Sequence, residues 1–245
     1  MKKAKYLTPF RFYRNVNQSH SEISFQVIVE ETDLWIKAQK DLSSPILTYV
    51  QQLRAQIKAY IDLHPSFLTA LSPLPLDPNA PLLIQEMLKT AQIAKVGPMA
   101  TVAGAIAEAV AKKFSPLSPN LIVENGGDTY LCSTQERIVG VWTGTDQEIC
   151  LGIRIRPDEF PCSLCASSGR IGHSLNFGQS DLVVVKARSG ALADGLATYL
   201  SNHLHTKKDL NRTLNLAKQF TELNGIFIQI QDKIGIWGNL EIVAI

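Results

Sequence analysis

An α+β fold, with helices packed on mixed or antiparallel sheets, is predicted by three features of the sequence. Ile23, Phe25, Val27 and Val29 alternate with polar residues and a second short apolar run follows at 34–38, the signature of a half-buried strand pair. Two stripes recur at helical spacing, Ile46, Val50, Leu53, Ile57, Ile61 and, later, Leu210, Leu214, Ala217, Phe220. Short apolar runs bounded by turn residues fill 121–155 and 226–243, as an antiparallel meander and a closing hairpin would.

Each element follows in order. Ile23, Phe25, Val27 and Val29 make one arm of a hairpin, with residues 34–38 as the other beyond the turn Glu31-Thr32-Asp33. The first helix stops near His64-Pro65, because a residue that precedes proline is pushed out of helical backbone. Prolines 65, 73, 75, 78 and 81 make 66–81 an ordered loop, and a helix resumes after Pro81 and runs to about Lys95. Residues 100–113 are almost wholly small and apolar, so that helix is buried on most sides. Strands at 121–124, 130–132, 138–142 and 149–155 are expected to succeed one another as a meander, followed by a strand at 182–187. A small-residue helix is expected at 190–203, an amphipathic one at 209–223 stopped by Asn224-Gly225, and strands at 226–231 and 234–243. No short-period repeat suggests a solenoid.

Composition bounds the function. The 245 residues, 45% hydrophobic and 19% charged, are expected to form one globular domain spanning 1–245. A net charge of +2 creates no long-range field, and the basic stretch Lys2, Lys3, Lys5, Arg11, Arg14 lacks a stacking platform, so nucleic acid is not an expected partner. No apolar run approaches the roughly 18 residues of a membrane span and no apolar stretch follows the N-terminal charges, so the expectation is a cytoplasmic protein with no membrane partner. The cysteines, at 132, 150, 162 and 165, are too unevenly placed to staple the chain and read as reduced thiols.

Chemistry is concentrated at a few junctions. Gly97-Pro98 precedes a helix of small residues, where free amides and the positive end of the helix dipole suit a phosphate, although a tight turn before a closely packed helix explains the pattern equally well. Asn125-Gly126-Gly127-Asp128 permits close backbone approach by a ligand, and is also a hairpin turn signal. Ser167-Ser168-Gly169 opens a loop of hydroxyls and glycines suited to an anionic or polar ligand; that loop carries His173, the one evident candidate for a general base, although a lone loop histidine is more often a surface or hydrogen-bonded structural residue. Asp194 and Thr198, four apart, share one face of a helix and read as a helix-surface hydrogen bond or, since small apolar neighbours suggest a buried helix where a free carboxylate is costly, as two hard oxygens suited to Mg²⁺. Cys162 and Cys165 have the spacing of metal and redox sites without a second pair or a histidine cluster, leaving Cys165 as a candidate reactive thiol or an inert half-buried one.

Taken together, Val96-Gly97-Pro98-Met99-Ala100, Ala103-Gly104-Ala105-Ile106-Ala107-Glu108, Glu124-Asn125-Gly126-Gly127-Asp128, Ser167-Ser168-Gly169 with Gly172-His173-Ser174, and Ala193-Asp194 with Ala197-Thr198 resemble a compact ApbE-like family of bacterial and archaeal proteins. Phe12-Tyr13-Arg14, Glu31-Thr32-Asp33-Leu34 and His64-Pro65-Ser66-Phe67 extend the resemblance over nearly the whole chain. The wider superfamily is that of FAD:protein FMN transferases, which bind FAD with Mg²⁺ and move FMN onto a threonine of a target protein. The resemblance implies an ApbE-like fold, a Gly-Gly-Asp turn and Ser-Gly loop lying along the flavin, and metal binding by Asp194 and Thr198. The transferases' His-x-x-Asp-Pro-x-x-Gly segment is replaced here by Gly172-His173-Ser174-Leu175-Asn176-Phe177-Gly178, so part of the nucleotide-contacting wall is missing. Those transferases are also typically exported.

The function expected is therefore Mg²⁺-assisted binding of FAD, FMN or a related small phosphorylated ligand, with FMN-transferase-like or pyrophosphate-cleaving chemistry in which His173 serves as acid or base. A homodimer is expected from small-residue surfaces and family analogy. The alternatives are a sulfur-handling protein of thiol or homocysteine metabolism using Cys165, and a binding module that has lost catalysis.

Overall fold

In the computed structural model, which describes residues 22–141, 151–169 and 178–245, helices, a large sheet and a small sheet form three layers. The large sheet has eight strands in the order β1 (Ile23–Val29), β2 (Thr32–Ala38), β3 (Leu121–Asn125), β4 (Asp128–Cys132), β7 (Cys162–Ser167), β8 (Leu182–Ala187), β9 (Leu223–Ile230) and β10 (Lys233–Gly238). Every pairing in it is antiparallel. A small sheet, in the order β11 (Glu241–Ala244), β6 (Leu151–Ile155), β5 (Arg137–Val141), covers its other face.

Central strands of the large sheet are buried on both faces, which explains why they read as continuous apolar runs. Leu121 and Val123 face the helices and Ile122 faces the small sheet; Val183 and Val185 oppose Val184 in the same way. The helical layer consists of α1 (Ser43–Leu63), α2 (Ser66–Thr69), α3 (Leu82–Ala94), α4 (Val102–Phe114), α5 (Gly190–Asn202) and α6 (Leu210–Ala217). Ile46, Val50, Leu53 and Ile57 of α1 are buried, as their spacing predicts. A short 3₁₀ turn, Pro98–Thr101, leads into α4, and both α4 and α5 are buried along most of their length because their alanines and glycines allow close packing on the sheet and on each other.

Several expectations are corrected. The predicted meander is interrupted: β4 pairs with β7, while β5 and β6 leave for the small sheet. Strand β7, which no periodicity in the sequence predicts, carries Cys165 and Ser167 into the middle of the large sheet. The proline-rich loop contains α2, formed because Phe67 buries itself edge-on against Tyr60, with ring centroids 5.0 Å apart. The expected helix at 209–223 ends at Ala217, and Asn224-Gly225 lies inside β9, where Gly225 lets Leu240 and Asn239 approach its backbone. The last expected strand is two, broken at Gly238, whose φ of 85° suits glycine and turns the chain from one sheet to the other.

Candidate functional site

The site is built where the β3–β4 turn, β7, the start of α4 and the middle of α5 meet. Gly126 and Gly127 form a two-residue hairpin between Asn125 and Asp128, both with positive φ (70° and 111°), so the turn signal is realised in full. Its outer side is open: a methyl group on Gly126 would meet nothing within 4 Å, and one on Gly127 only Ala166 Cβ at 3.9 Å. A ligand can therefore lie against this backbone. Glu124 steadies the turn by accepting the Gly127 N–H at 2.8 Å.

The residues flanking the glycines point inward. Asn125 Nδ2 donates to the Ala103 carbonyl at 3.2 Å, and Asp128 Oδ1 accepts the Ala166 N–H at 3.2 Å. Asp194 reaches from α5 to the first turn of α4, where its Oδ2 accepts the Gly104 N–H at 3.0 Å. The first turn of α4 is thus held at a carbonyl by Asn125 and at an amide by Asp194, the latter satisfying a donor that no helix can satisfy internally.

Two carboxyl groups are consequently buried close enough to feel each other. Burial, with lesser help from Glu124, pushes Asp128 up to about 7, although the Cys165 thiol and the Ala166 amide oppose the shift. Asp194 is held well above the carboxylate range by burial first and by Asp128 second, against the Gly104 and Ala103 amides. Such a pair takes up either a proton or a cation. Thr198, one turn along α5 from Asp194, is only 6% exposed, and its hydroxyl has no protein partner among the described residues.

Among the described residues, no group of three or more His, Cys, Asp or Glu side chains could hold a metal ion. A cation here would draw on Asp194, the Thr198 hydroxyl, water and ligand oxygens. That donor set suits Mg²⁺, which retains waters and completes its shell with phosphate oxygens more readily than it enters an all-protein cage.

The other predicted residues divide. Ser167 ends β7 and is buried; Ser168 Oγ and the Gly169 N–H donate to the Ser180 carbonyl at 3.4 and 3.1 Å. Gly169 is required there, because a Cβ would lie 2.1 Å from the Gly178 carbonyl oxygen. Gly97 and Pro98 are closely packed: Pro98 is buried, and a Cβ on Gly97 would lie 1.8 Å from the Ala70 carbonyl oxygen. His173 and Cys150 lie outside the described residues.

Cys165 is fully buried, 3.2 Å from Ser163 Oγ and 3.5 Å from the Gly190 carbonyl. Burial, then Asp128 and Asp194, push its thiol well above the ordinary range, the opposite of what a nucleophilic thiolate requires. Cys162 and Cys165 belong to opposite faces of β7, one packed with the small sheet and the other with the helices, so they cannot share a metal. Sequence reasoning missed the working role of Gly104 and gave none to Glu108. The available signal was one carboxylate between Ala107 and Ala109 in an otherwise apolar segment, where a buried charge demands a partner.

No single described helix is long and apolar enough to cross a membrane. A family profile described as "AbpE bacteria" matches residues 14–222. A UPF0280 protein of Methanocaldococcus jannaschii is 33% identical over 222 residues, covering 88% of this chain and 90% of the relative. One from Methanopyrus kandleri is 36% identical over 205 residues, covering 81% and 82%. Among solved structures, the flavin transferase ApbE from Vibrio cholerae superposes with a TM-score of 0.59 at 11% identity, covering 91% of this chain and 96% of that one. The apo flavinyl transferase ApbE of Pseudomonas stutzeri gives a TM-score of 0.53 at 11% identity, covering 88% and 93%. At such identities the likeness is one of fold.

Proposed function

The chain belongs to the family described as "AbpE bacteria", together with UPF0280 relatives from archaea, and we propose that it binds a flavin nucleotide or a related phosphorylated ligand with the help of Mg²⁺. The observation that carries this reading is the pairing of buried Asp194, opposed by Asp128, with Thr198 one turn along the same helix. The open backbone at Gly126-Gly127 supports it, because it lies on the turn that carries Asp128 and leaves room for a flat or phosphorylated group. The name flavin transferase, borne by the Vibrio cholerae protein of like fold, gives the ligand class its prior weight.

When bound, Mg²⁺ would neutralise phosphate charge and so favour attack on, or departure from, a phosphoryl group. The chain's own residues do the remaining work. Asp194 and Thr198 would hold the cation; Asn125 and Asp194 keep the first turn of α4 in place. Gly126, Gly127, Asp128, Ser168 and Gly169 would line the ligand. In a transfer or pyrophosphate-cleaving reaction His173 takes the acid–base role; binding alone does not require it.

The test is calorimetric titration with FAD, FMN and ADP, with and without Mg²⁺, on the wild type and on Asp194→Asn. Asparagine keeps an oxygen to accept the Gly104 amide and loses the charge a cation needs. Tight binding that requires both Mg²⁺ and Asp194 is expected. No nucleotide bound up to about 1 mM, an affinity of only about −4 kcal/mol, would overturn the reading.

A further inference from the structure

Helices α4 and α5 brace one another through a reciprocal pair of caps. Gly104 and Glu108 lie one turn apart on α4, and Gly190 and Asp194 one turn apart on α5. Asp194 Oδ2 accepts the Gly104 amide at 3.0 Å; in the mirrored position Glu108 Oε2 accepts the Gly190 amide at 2.7 Å, the Ser189 hydroxyl at 3.0 Å and the Ala191 amide at 3.4 Å. The other oxygen of Glu108 pairs with Lys112 at 2.5 Å. Between the two caps the backbones touch, since a Cβ on Gly104 would lie 2.1 Å from the Gly190 oxygen and one on Gly190 2.5 Å from the Gly104 oxygen.

From this geometry we infer that Glu108 is a positioning residue for Asp194 and Thr198: by fixing the N-terminus of α5 against α4 it sets where Asp194 meets the first turn of α4. The consequence for metal binding rests on the function proposed above; the positioning itself does not. A slip of α5 by one residue would move its groups by about 1.5 Å along the axis and about 100° around it, which breaks both caps together. Helix capping alone does not account for Glu108. The α5 N-terminus already has a local cap, Ser189 Oγ, which accepts the Leu192 amide at 3.3 Å. Glu108, only 5% exposed, takes the Gly190 and Ala191 amides that Ser189 leaves free, and it does so from another helix, so that it ties α5 to α4, which Ser189 cannot do.

The experiment compares Glu108→Gln, Glu108→Asp and Ser189→Ala in the full chain. Glutamine loses the charge, aspartate keeps it but loses one methylene of reach, and Ser189→Ala removes the local cap and one hydrogen bond to Glu108 while leaving the Gly190 and Ala191 amides on that carboxylate. Amide exchange at Ala103 and Gly104 is measured by NMR without metal, and Mn²⁺ affinity by electron paramagnetic resonance. Both Glu108 variants are expected to speed exchange at Gly104 by about ten-fold or more and to weaken Mn²⁺ by a similar factor, with Ser189→Ala changing each by several-fold less, because the two backbone amides stay on Glu108. Equal effects from Ser189→Ala and the Glu108 variants, or unchanged exchange at Gly104 in Glu108→Asp, would overturn the inference; the aspartate variant decides if Glu108→Gln does not fold. If the wild type binds no Mn²⁺ while exchange responds as expected, the metal reading falls and the positioning role stands.

Discussion

Replacing Gly104 by alanine bears directly on the α4–α5 crossing. The new methyl would sit 2.1 Å from the Gly190 carbonyl oxygen, 2.6 Å from its carbon and 2.9 Å from Asp194 Cβ. Ordinary contacts lie at about 3.5 Å, so the helices must part by on the order of 1 Å, and no rotamer change relieves a clash with backbone. Overpacking of this kind costs about 1–3 kcal/mol. Stretching the hydrogen bond from Gly104 to the Asp194 carboxylate costs about 1.5–3 kcal/mol more. Alanine's helix propensity returns about 1 kcal/mol. The net loss is about 3 kcal/mol, which for a chain of this length lowers the Tm by about 6–12 °C. Gly140→Ala is the control, because its Cβ would meet Ile245 Cδ1 at an ordinary 3.5 Å; it is expected to change stability by no more than about 0.5 kcal/mol. Calorimetric unfolding, with urea denaturation to check that the m-value is unchanged, reads both variants. If Gly104→Ala melts within a degree or two of the wild type, the helices do not cross at these backbones and the reciprocal caps lose their geometry.

Other expectations can be checked alongside it. A carboxyl whose pKa is higher folded than unfolded binds its proton more tightly in the native state, so the metal-free protein should lose stability as pH rises from about 4 to about 7. Asp128→Asn should flatten that slope, as should Mg²⁺; a Tm independent of pH over this range in the metal-free wild type would refute the buried-carboxyl account. Thr198→Val, similar in volume and without a protein hydrogen bond to lose, should change stability by no more than about 0.5 kcal/mol while weakening Mg²⁺-dependent nucleotide binding in calorimetry. Phe67→Ala should cost about 3–5 kcal/mol in urea denaturation, because its ring is fully buried in the main core. A thiol reagent should modify half-buried Cys132 well before Cys162 or Cys165 in the native protein, and equal rates would show that β7 opens readily.

The sequence made the regular elements legible where burial was one-sided. α1 and the β1–β2 hairpin appear as their periodicities predict, because each buries one face and exposes the other. It was less informative where a strand is buried on both sides or an element changes partner. Strand β7, Cys-Ser-Leu-Cys-Ala-Ser, is short, polar in part and devoid of β-branched residues, yet it lies between β4 and β8 because its Leu164 and Cys165 fill opposite cores. Nothing in the meander's pattern announces that β5 will leave the large sheet, since alternation fixes a face and not a partner. At the site, the four-residue spacing put Asp194 and Thr198 on one helix correctly, and the hairpin signal at Asn125-Gly126-Gly127-Asp128 was real. The capping of one helix by a residue of the other involves contacts more than 80 positions apart along the chain, which local patterns do not encode.

That long-range arrangement also bears on why Asp194 can serve structure and chemistry together. A carboxylate has about four lone-pair directions, and the Gly104 amide takes one of them at Oδ2. The amide contacts hold the side chain in a single orientation without exhausting its capacity, so on the reading proposed above a cation would meet a ligand already fixed in place, with little rotamer freedom left to lose. Asp128 acts in the opposite sense. Its proximity makes an empty, doubly ionised site unfavourable, so any divalent ion that enters relieves a repulsion that the fold itself maintains. The glycine crossing at 104 and 190 ties these effects together, because it lets α5 approach closely enough for Asp194 to reach α4 at all. A site assembled in this way would tolerate conservative change in its ligand-facing loops better than change at Gly104, Gly190 or Glu108, none of which would touch the ligand.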